Sequence, residues 1–560
     1  MQSQVSLSET PDLYGAFPRL SDPQLALLAE HGERRRTRTE EVLFREGDRS
    51  YDFFVVLDGK VAVVDGFEGD ERLIAVHGPG RFLGELSLLS GEAAFFTAVV
   101  RERGEVLRLT VEQLKEIVSR DQALGDMILR AYLIRREILI GLGVGLRIVG
   151  SRYSTDTGRL REFAARNRLP HRWIDLEEDP AAEALLCGLG VAPDDTPVVI
   201  LRGTRVLRNP SNAELARAVG LLSPASARSV ADLLVVGAGP AGLAAAVYGA
   251  SEGLRTVTLD AVATGGQAGT SSRIENYLGF PAGISGAELA ERATIQARRF
   301  GAEINVPAEA KGLAQEDGHH VIRADGQPET RARAVVIATG ARYRRLPVER
   351  REEFEGTSIY YAATPIETNL CRGDPVAVVG GGNSAAQGAL LLAEQTPVVR
   401  LIVRENDLAE NMSRYLIDRI ERTPNIEVLL HSEVRELIGH DGRLEALEIE
   451  NTRTGGRGRV EGRALFVFIG AEPHTGWLRD ELVLDDRGFI ATGPEATPSD
   501  ESSGLGGAPY RPRLFESSRP GVFAVGDVRS GSVKRVASAV GEGSMSVRLV
   551  HEYLASHPAG

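Results

Sequence analysis

Only two cysteines, Cys187 and Cys371, occur in 560 residues. No disulfide framework can brace such a chain, and so low a count fits a reducing, cytoplasmic compartment. Basic residues are outnumbered, 65 Lys and Arg against 78 Asp and Glu, for a formal charge of −13. A duplex repels a net anion, so no nucleic-acid partner is expected; the one basic run, Arg34-Arg35-Arg36, reads as solvated surface. No stretch of about 18 apolar residues is present, which argues against a membrane span. The first thirty residues contain no apolar stretch of signal-peptide type. No short-period repeat is visible, and no metal-ligand set is assigned. What the chain has in quantity is glycine, 62 residues, much of it in loops of the second half. The balance of 42% hydrophobic and 26% charged residues is ordinary for globular proteins. The length suits roughly four domains of about 150 residues.

Residues 40–110 read as short strands separated by turns. Phe53 to Leu57 ends at Asp58-Gly59, and Val61 to Val64 follows, a pattern that predicts a hairpin. Residues 111–140 read as helical, with Thr110 as N-cap. Between 146 and 222 the order is strand (Arg147–Val149), helix (Asp156–Arg166), strand (Trp173–Leu176) and strand (Pro197–Leu201), a compact α/β unit. Residues 223–230 are small and polar and suit a linker. From 231 onward strands alternate with helices and Gly-rich turns, the pattern of doubly wound α/β folds, with two starts at Leu233 and Val376.

The first start carries a dinucleotide fingerprint. Leu233 to Val236 is a buried parallel strand, followed at once by Gly237-Ala238-Gly239-Pro240-Ala241-Gly242 and a helical run. The glycines allow a tight turn, close approach of backbone to a pyrophosphate, and packing of helix on strand. The pyrophosphate would meet free N–H groups and the positive dipole end at the helix N-terminus. Asp260 ends the next strand, about twenty residues on, where an acid accepts hydrogen bonds from a ribose.

Further motifs follow in order: Gly265-Gly266-Gln267, Glu275-Asn276-Tyr277, Gly283-Ile284-Ser285-Gly286, Ala338-Thr339-Gly340 and Gly521-Val522-Phe523-Ala524-Val525-Gly526-Asp527. Together they resemble low-molecular-weight thioredoxin reductase over about 231–557. That resemblance implies bound FAD. It places Asp260 on the adenosine ribose and Gly266, Gln267 and Asn276 along the isoalloxazine and ribityl side. Thr339 and Gly340 would close over the cofactor, Gly526 and Asp527 would meet the ribityl chain, and Arg535-Val536-Ala537 would bring a backbone N–H to the flavin pyrimidine edge. Val536 stands where the family commonly has Gln.

The second start, Val376 to Val379, leads into Gly380-Gly381-Gly382-Asn383-Ser384-Ala385. The resemblance makes this the NAD(P) domain, with Ile469 and Gly470 in the segment that leads back out. Its cofactor is NADH or NADPH. A 2′-phosphate wants clustered arginines, and the family's His-Arg-Arg run is here Val403-Arg404-Glu405. Arg404 survives, Glu405 favours a ribose hydroxyl, and Arg414 is a possible compensating cation.

The family's Cys-x-x-Cys positions are occupied by Ala362 and Pro365. Disulfide exchange requires a thiolate, so no catalytic residue is assigned there, and both cysteines are expected to be buried structural thiols. Residues 146–222 resemble a thioredoxin- or glutaredoxin-like domain through strand order and the Thr196-Pro197 step, but Ser151 to Thr157 contains no cysteine. Residues 40–120 resemble a cyclic-nucleotide-binding domain through Glu46-Gly47-Asp48 and the run around Gly84, Glu85, Leu86 and Ser87. Ala94 stands where that family pairs an arginine with the phosphate. The resemblance therefore leaves open a cyclic nucleotide, another ligand or a structural role for those four residues.

The expected architecture is multidomain. It comprises an N-terminal β-roll with helices (1–142), a small thioredoxin-like α/β domain (143–222), a linker (223–230) and two Rossmann-like three-layer α/β domains. The FAD domain is split (231–352 and 474–560) around the NAD(P) domain (353–473). The expected function is hydride transfer from NAD(P)H to flavin, then on to a small-molecule or protein acceptor, in a cytoplasmic homodimer. Two alternatives stand beside it: reduction of a partner's dithiol, and a non-enzymatic redox sensor.

Overall fold

The computed structural model describes residues 7–558 except 49, 67–70, 85–87, 89–92, 180–181, 202–204, 223–229, 272, 275, 326, 356, 362, 364–366, 369–370 and 498–510; for 193, 342, 343 and 471 it describes the backbone alone. The chain divides into two units, 1–223 and 224–560. The expected linker falls largely outside the described residues.

The first unit opens with α1 (Asp22–Ala29) and an antiparallel sheet of β1 (Glu33–Arg36), β2 (Val42–Phe44), β3 (Phe53–Asp65), β4 (Arg72–His77) and β5 (Thr97–Leu109), ordered β1-β5-β3-β4 with β2 also on β5. The hairpin expected at Asp58-Gly59 is not there. Residues 53–65 form one strand that runs along β5 through three register shifts. Gly59 has φ +80°, and a Cβ on it would lie 2.4 Å from the Glu102 carbonyl oxygen. A positive-φ glycine serves a bulge as well as a turn, and close approach to β5 selects the bulge.

The helical stretch after β5 is two helices. Thr110 caps α2 (Val111–Arg120) in a reciprocal box with Gln113, bonds of 3.2 and 2.8 Å. Asp121 then leaves the helical conformation and its carboxylate caps α3 (Gln122–Leu142) through Leu124 N at 2.9 Å. Arg135 of α3 is buried. Its guanidinium donates to the carbonyls of Ala16, Gly84 and Phe82 at 2.7, 2.8 and 3.1 Å and lies over the Phe82 ring at 4.7 Å. Burying that charge is tolerable because its donors are spent on carbonyls and its face on an aromatic quadrupole.

The unit ends with β6 (Leu146–Gly150), α4 (Thr155–Arg166), β7 (His171–Asp175), α5 (Ala182–Gly188), β8 (Val198–Leu201), β9 (Arg205–Arg208) and α6 (Asn212–Val219). The sheet order is β7-β6-β8-β9; β6 and β7 run parallel and the other pairs antiparallel. The Thr196–Pro197 peptide is cis.

The second unit holds two open sheets. In the first, β10 (Ala231–Val236) lies between β11 (Thr256–Leu259) and β15 (Thr330–Ile337), and β12 (Glu303–Asn305) flanks β11. These four strands are parallel, as is β26 (Val522–Ala524) on the C-terminal half of β15. The hairpin β13 (Ala310–Glu316) and β14 (His319–Ala324) joins the N-terminal half of β15 antiparallel. Helices α7 (Pro240–Ser251) and α8 (Gly286–Arg299) follow β10 and β11. A two-stranded ribbon, β16 (Ala341–Tyr343) with β25 (Ala471–Pro473), forms the crossing to the second sheet. A short helix, α9 (Arg351–Phe354), follows β16. That second sheet is all parallel, in the order β17 (Ile359–Tyr360), β24 (Ala464–Val467), β18 (Val376–Val379), β19 (Val399–Ile402), β20 (Ile426–Leu429). Its helices are α10 (Asn383–Ala393) and α11 (Arg414–Glu421). A three-stranded antiparallel sheet, β21 (Ser432–His440), β22 (Arg443–Asn451) and β23 (Arg457–Glu461), precedes β24. The last helix is α12 (Val536–Ser556). Among the described residues no helix is long and apolar enough to cross a membrane.

One buried histidine makes the first unit sensitive to acid. His77 is 2% exposed, with the Phe17 ring edge-on at 5.5 Å. Burial, then the charges of Arg135 and Arg81, hold its imidazole well below the ordinary value of 6.5. An unfolded histidine takes up a proton near pH 6.5 and the folded one does not, so the unfolded state binds more protons as pH falls and stability falls with it. The urea midpoint for proteolysis of residues 1–223 should drop between pH 7.5 and 5.5, and drop less in His77→Phe. A midpoint level across that range in the parent protein would refute this.

Candidate functional site

The end of β10 is a backbone-on-backbone contact. Gly237 has φ +107°, and a Cβ there would lie 2.3 Å from the Ala338 carbonyl oxygen at the end of β15. At Gly242, in the first turn of α7, a Cβ would lie 1.8 Å from the Gly237 carbonyl oxygen. Gly239 is the N-cap of α7, and no side chain caps that end. Pro240 holds the first helical position, where a missing N–H costs nothing, and Ala241 is buried under the turn. Opposite Gly239 the nearest atom to a built Cβ is the Gly266 Cα at 4.0 Å, and a Cβ on Gly266 would lie 3.0 Å from the Gly239 Cα, so the two glycines approach each other closely. Asp260 stands at the end of β11, where the sequence places it. Its carboxylate accepts from Ala238 N at 2.7 Å and from Val262 N and Ala263 N at 2.9 and 3.0 Å. It therefore also shapes the glycine loop, a role its position alone does not reveal.

The remaining expected residues of the first site come from three distant segments. Gln267 donates to the Ala341 carbonyl at 3.3 Å, while its amide oxygen is buried with no partner among the described residues. Asn276 is exposed. The Thr339 hydroxyl donates to the His474 carbonyl at 3.2 Å, and His474 N donates to the Gly340 carbonyl at 3.2 Å. Gly526 and Asp527 form a 3-10 turn. Burial pushes the Asp527 carboxyl above its ordinary value, against the pull of Lys534. Arg535 is the N-cap of α12, with Val536 and Ala537 as its first residues and no side-chain cap. An uncapped helix of 21 residues presents its N–H groups and positive dipole end there. The paired glycines, the Gln267 amide oxygen without a partner among the described residues and two uncapped helix ends fit a flavin dinucleotide.

The second loop repeats the first in outline. A Cβ on Gly380, at φ +139°, would lie 2.3 Å from the Phe468 carbonyl oxygen and 3.3 Å from the Ala385 Cβ, so Gly380 and Ala385 pack the turn. Gly382 caps α10 without a side-chain bond, and Ser384 lies in its first turn. Asn383 accepts from Ser413 N at 2.7 Å, tying the loop to the start of α11. Arg404 is 75% exposed and bonds Glu405 at 3.2 Å. Ile469 and Gly470 follow Phe468 into the crossing: Gly470 accepts from Arg344 N at 2.9 Å, and Ile469 packs on the sheet core.

Residues 231–543 match the family described as pyridine nucleotide-disulphide oxidoreductase. The chain belongs to that family. Residues 34–121 match the cyclic nucleotide-binding domain. The "34.2 kDa protein in rubredoxin operon" of Clostridium pasteurianum is 31% identical over 323 residues, 58% of this chain and 97% of that protein. NADPH-dependent thioredoxin reductase 3 of Arabidopsis thaliana is 29% identical over 375 residues, and the aligned region covers 66% of its length. Among solved structures, Lactococcus lactis thioredoxin reductase (FR conformation) aligns with TM-score 0.52 at 26% identity, covering 58% of this chain and 99% of that one. T. acidophilum thioredoxin reductase aligns with TM-score 0.51 at 29% identity, covering 59% and 99%. The protein is an FAD-dependent NAD(P)H oxidoreductase with two Rossmann-type domains and an N-terminal cyclic-nucleotide-binding-like sheet.

Ala362 and Pro365 lie outside the described residues, as do Glu85, Leu86 and Ser87. Ala363 packs into the core of the second sheet, and Gly84 bonds Arg135. Burial and the neighbouring Asp374 and Glu367 push the Cys371 thiol up to about 12. Cys187 belongs to the first unit and is exposed, against the expectation that both thiols are buried. It sits on the short helix α5, whose side the apolar pattern alone did not decide.

Sequence reasoning missed Glu542. From α12 it accepts from Gly526 N at 2.7 Å and from Arg529 at 3.1 and 2.6 Å. Replacing it by alanine leaves the Gly526 N–H and a half-buried guanidinium without their acceptor. Glu542→Ala should weaken FAD retention roughly 10- to 100-fold, read as flavin fluorescence released on dilution; unchanged retention would exclude this positioning role.

Proposed function

We propose that this protein takes a hydride from a reduced pyridine nucleotide at the Gly380–Ala385 loop and passes the electrons from FAD, held at the Gly237–Gly242 loop, to an acceptor outside the chain. Bound FAD supplies a two-electron carrier between the nucleotide and that acceptor. The chain's own contribution is to hold both pyrophosphates on helix N-termini, to seat the flavin through Gln267, Asp527 and α12, and to close the site with the Thr339–His474 contact. The cysteine inventory carries the reading. Of the two thiols in the sequence one is buried with a raised pKa and the other belongs to the first unit, and Ala362 and Pro365 stand at the family's cysteine positions. A lone buried thiol cannot cycle as an internal disulfide.

The similarity to proteins named thioredoxin reductase favours a second reading, in which the acceptor is a partner's disulfide. Anaerobic NAD(P)H should bleach the flavin band, and the variant Cys187→Ser/Cys371→Ala should bleach at a rate within about twofold of the parent. The native protein should also titrate one thiol rapidly, and two after unfolding. No bleaching by either nucleotide with FAD bound would favour a sensor. Turnover lost in the cysteine-free variant would show that an internal thiol takes part.

Residues 143–222 we read as a thioredoxin- or glutaredoxin-like module without a redox pair, supported by the β7-β6-β8-β9 order and the absence of cysteine between 151 and 157. We read the N-terminal domain as keeping its fold without the phosphate grip. Ala94 is buried, its N–H donates to the Asp48 carbonyl at 3.0 Å and its carbonyl accepts from Gly47 N at 2.6 Å. Its methyl group offers no donor to a cyclic phosphate. Millimolar 3′,5′-cyclic AMP or GMP should leave the unfolding midpoint of residues 1–223 unmoved; a saturable rise would overturn this reading.

A further inference from the structure

The second nucleotide loop has an acidic side chain lying against it. Val403, just after β19, is fully buried, and the backbone then turns outward. Glu405 does not follow: its side chain is 16% exposed, whereas that of Arg404 is 75% exposed. The carboxylate reaches back to the middle glycine, so that a Cβ on residue 381 would lie 2.8 Å from its Oε2. The other oxygen, Oε1, accepts from Arg404 Nε at 3.2 Å. With no side chain on residue 381, the carboxylate can lie against the loop without shifting.

The surrounding charges point the same way. Arg414, the other cation of this segment, pairs with Asp418 at 2.9 Å on the exposed face of α11. Between 404 and 418 the chain carries four carboxylates, Glu405, Asp407, Glu410 and Asp418, and two guanidiniums, Arg404 and Arg414. A dianionic 2′-phosphate brought to the Glu405 carboxylate would meet like charge and would have to break the Arg404 pair before gaining a cation. A ribose 2′-hydroxyl is a donor, and a fixed carboxylate accepts its proton without reorganisation.

We propose that Glu405 is the specificity-determining residue of the second site, accepting the adenosine-ribose 2′-hydroxyl of NADH and excluding the 2′-phosphate of NADPH. This rests on the reading of Gly380–Ala385 as the pyridine-nucleotide loop. The test is calorimetric binding to the full FAD-loaded protein of two fragments that cannot transfer hydride, ADP-ribose and 2′-phospho-ADP-ribose. The expected result is a preference of roughly 10- to 100-fold for ADP-ribose, the size of a hydrogen bond to a charged group. In Glu405→Gln, which keeps shape and removes charge, that preference should shrink to within about threefold, with the flavin spectrum unchanged. Equal binding of the two fragments by the parent protein, or tighter binding of the phosphorylated one, would overturn the role of Glu405 and leave the nucleotide site standing. Binding of neither fragment would overturn the site itself. A preference that survives intact in Glu405→Gln would move the discrimination to another residue and also overturn the inference.

Discussion

A carbonyl oxygen lies 1.8 Å from the place a Cβ on residue 242 would take, and the first nucleotide site depends on that contact. Because neither Gly237 nor Gly242 has a side chain, α7 starts directly on the end of β10, and its N-terminal end lies beside Gly266. A methyl group at 242 would have to push the helix off the strand, displacing a buried interface in which α7 also packs against α12 through Gly543 and Ala241. The second site is built by the same close approach, with the Phe468 carbonyl filling the space beside Gly380. Both nucleotide loops are therefore properties of the backbone, and their chemistry, N–H groups offered to anions, is also the backbone's.

The side chains that refine these loops act at long range. Asp260 closes the first loop from the next strand, Asn383 ties the second to α11, and Glu542 holds the Gly526 turn from a helix sixteen residues on. Thr339 and His474, 135 residues apart, meet where the chain crosses between the two sheets. That crossing is a ribbon of three residues a side, β16 with β25, beside which an ion pair of Arg344 with Glu472 at 3.6 Å is about half exposed and adds little. Backbone pairing and the Thr339–His474 bonds carry the connection.

What the sequence made legible follows from how locally each feature is encoded. The two glycine loops, their strands and helices, and the acid after β11 are written within thirty residues and were readable. Asp58-Gly59 was not, because the same residues serve a hairpin and a bulge; the choice is made by β5, some forty residues away. Residues 111–140 read as helical throughout, but the break within them was not legible, because Asp121 satisfies α3 by leaving α2. Glu542 and His474 carried no signal, since a contact partner sixteen or 135 residues away leaves no pattern in a single sequence. Glu405 is visible as an acid where a cation is expected, but its contact with Gly381 is set by how the chain folds back after β19, which leaves no local pattern.

The same division between backbone and side chain makes membership of a disulphide oxidoreductase family compatible with the proposed loss of its thiol pair. Membership rests on features that fix where two strands, two helices and their glycines meet, and these fail together if the fold fails. Thiol exchange rests on two side chains, which the resemblance places at Ala362 and Pro365. The close contacts described at Gly237, Gly242 and Gly380 are with Ala338, Thr339, Gly237, Phe468 and Ala385. On the proposed reading, in which no internal thiol relay operates, what is left to specify is which nucleotide delivers the hydride and which outside acceptor reaches the flavin.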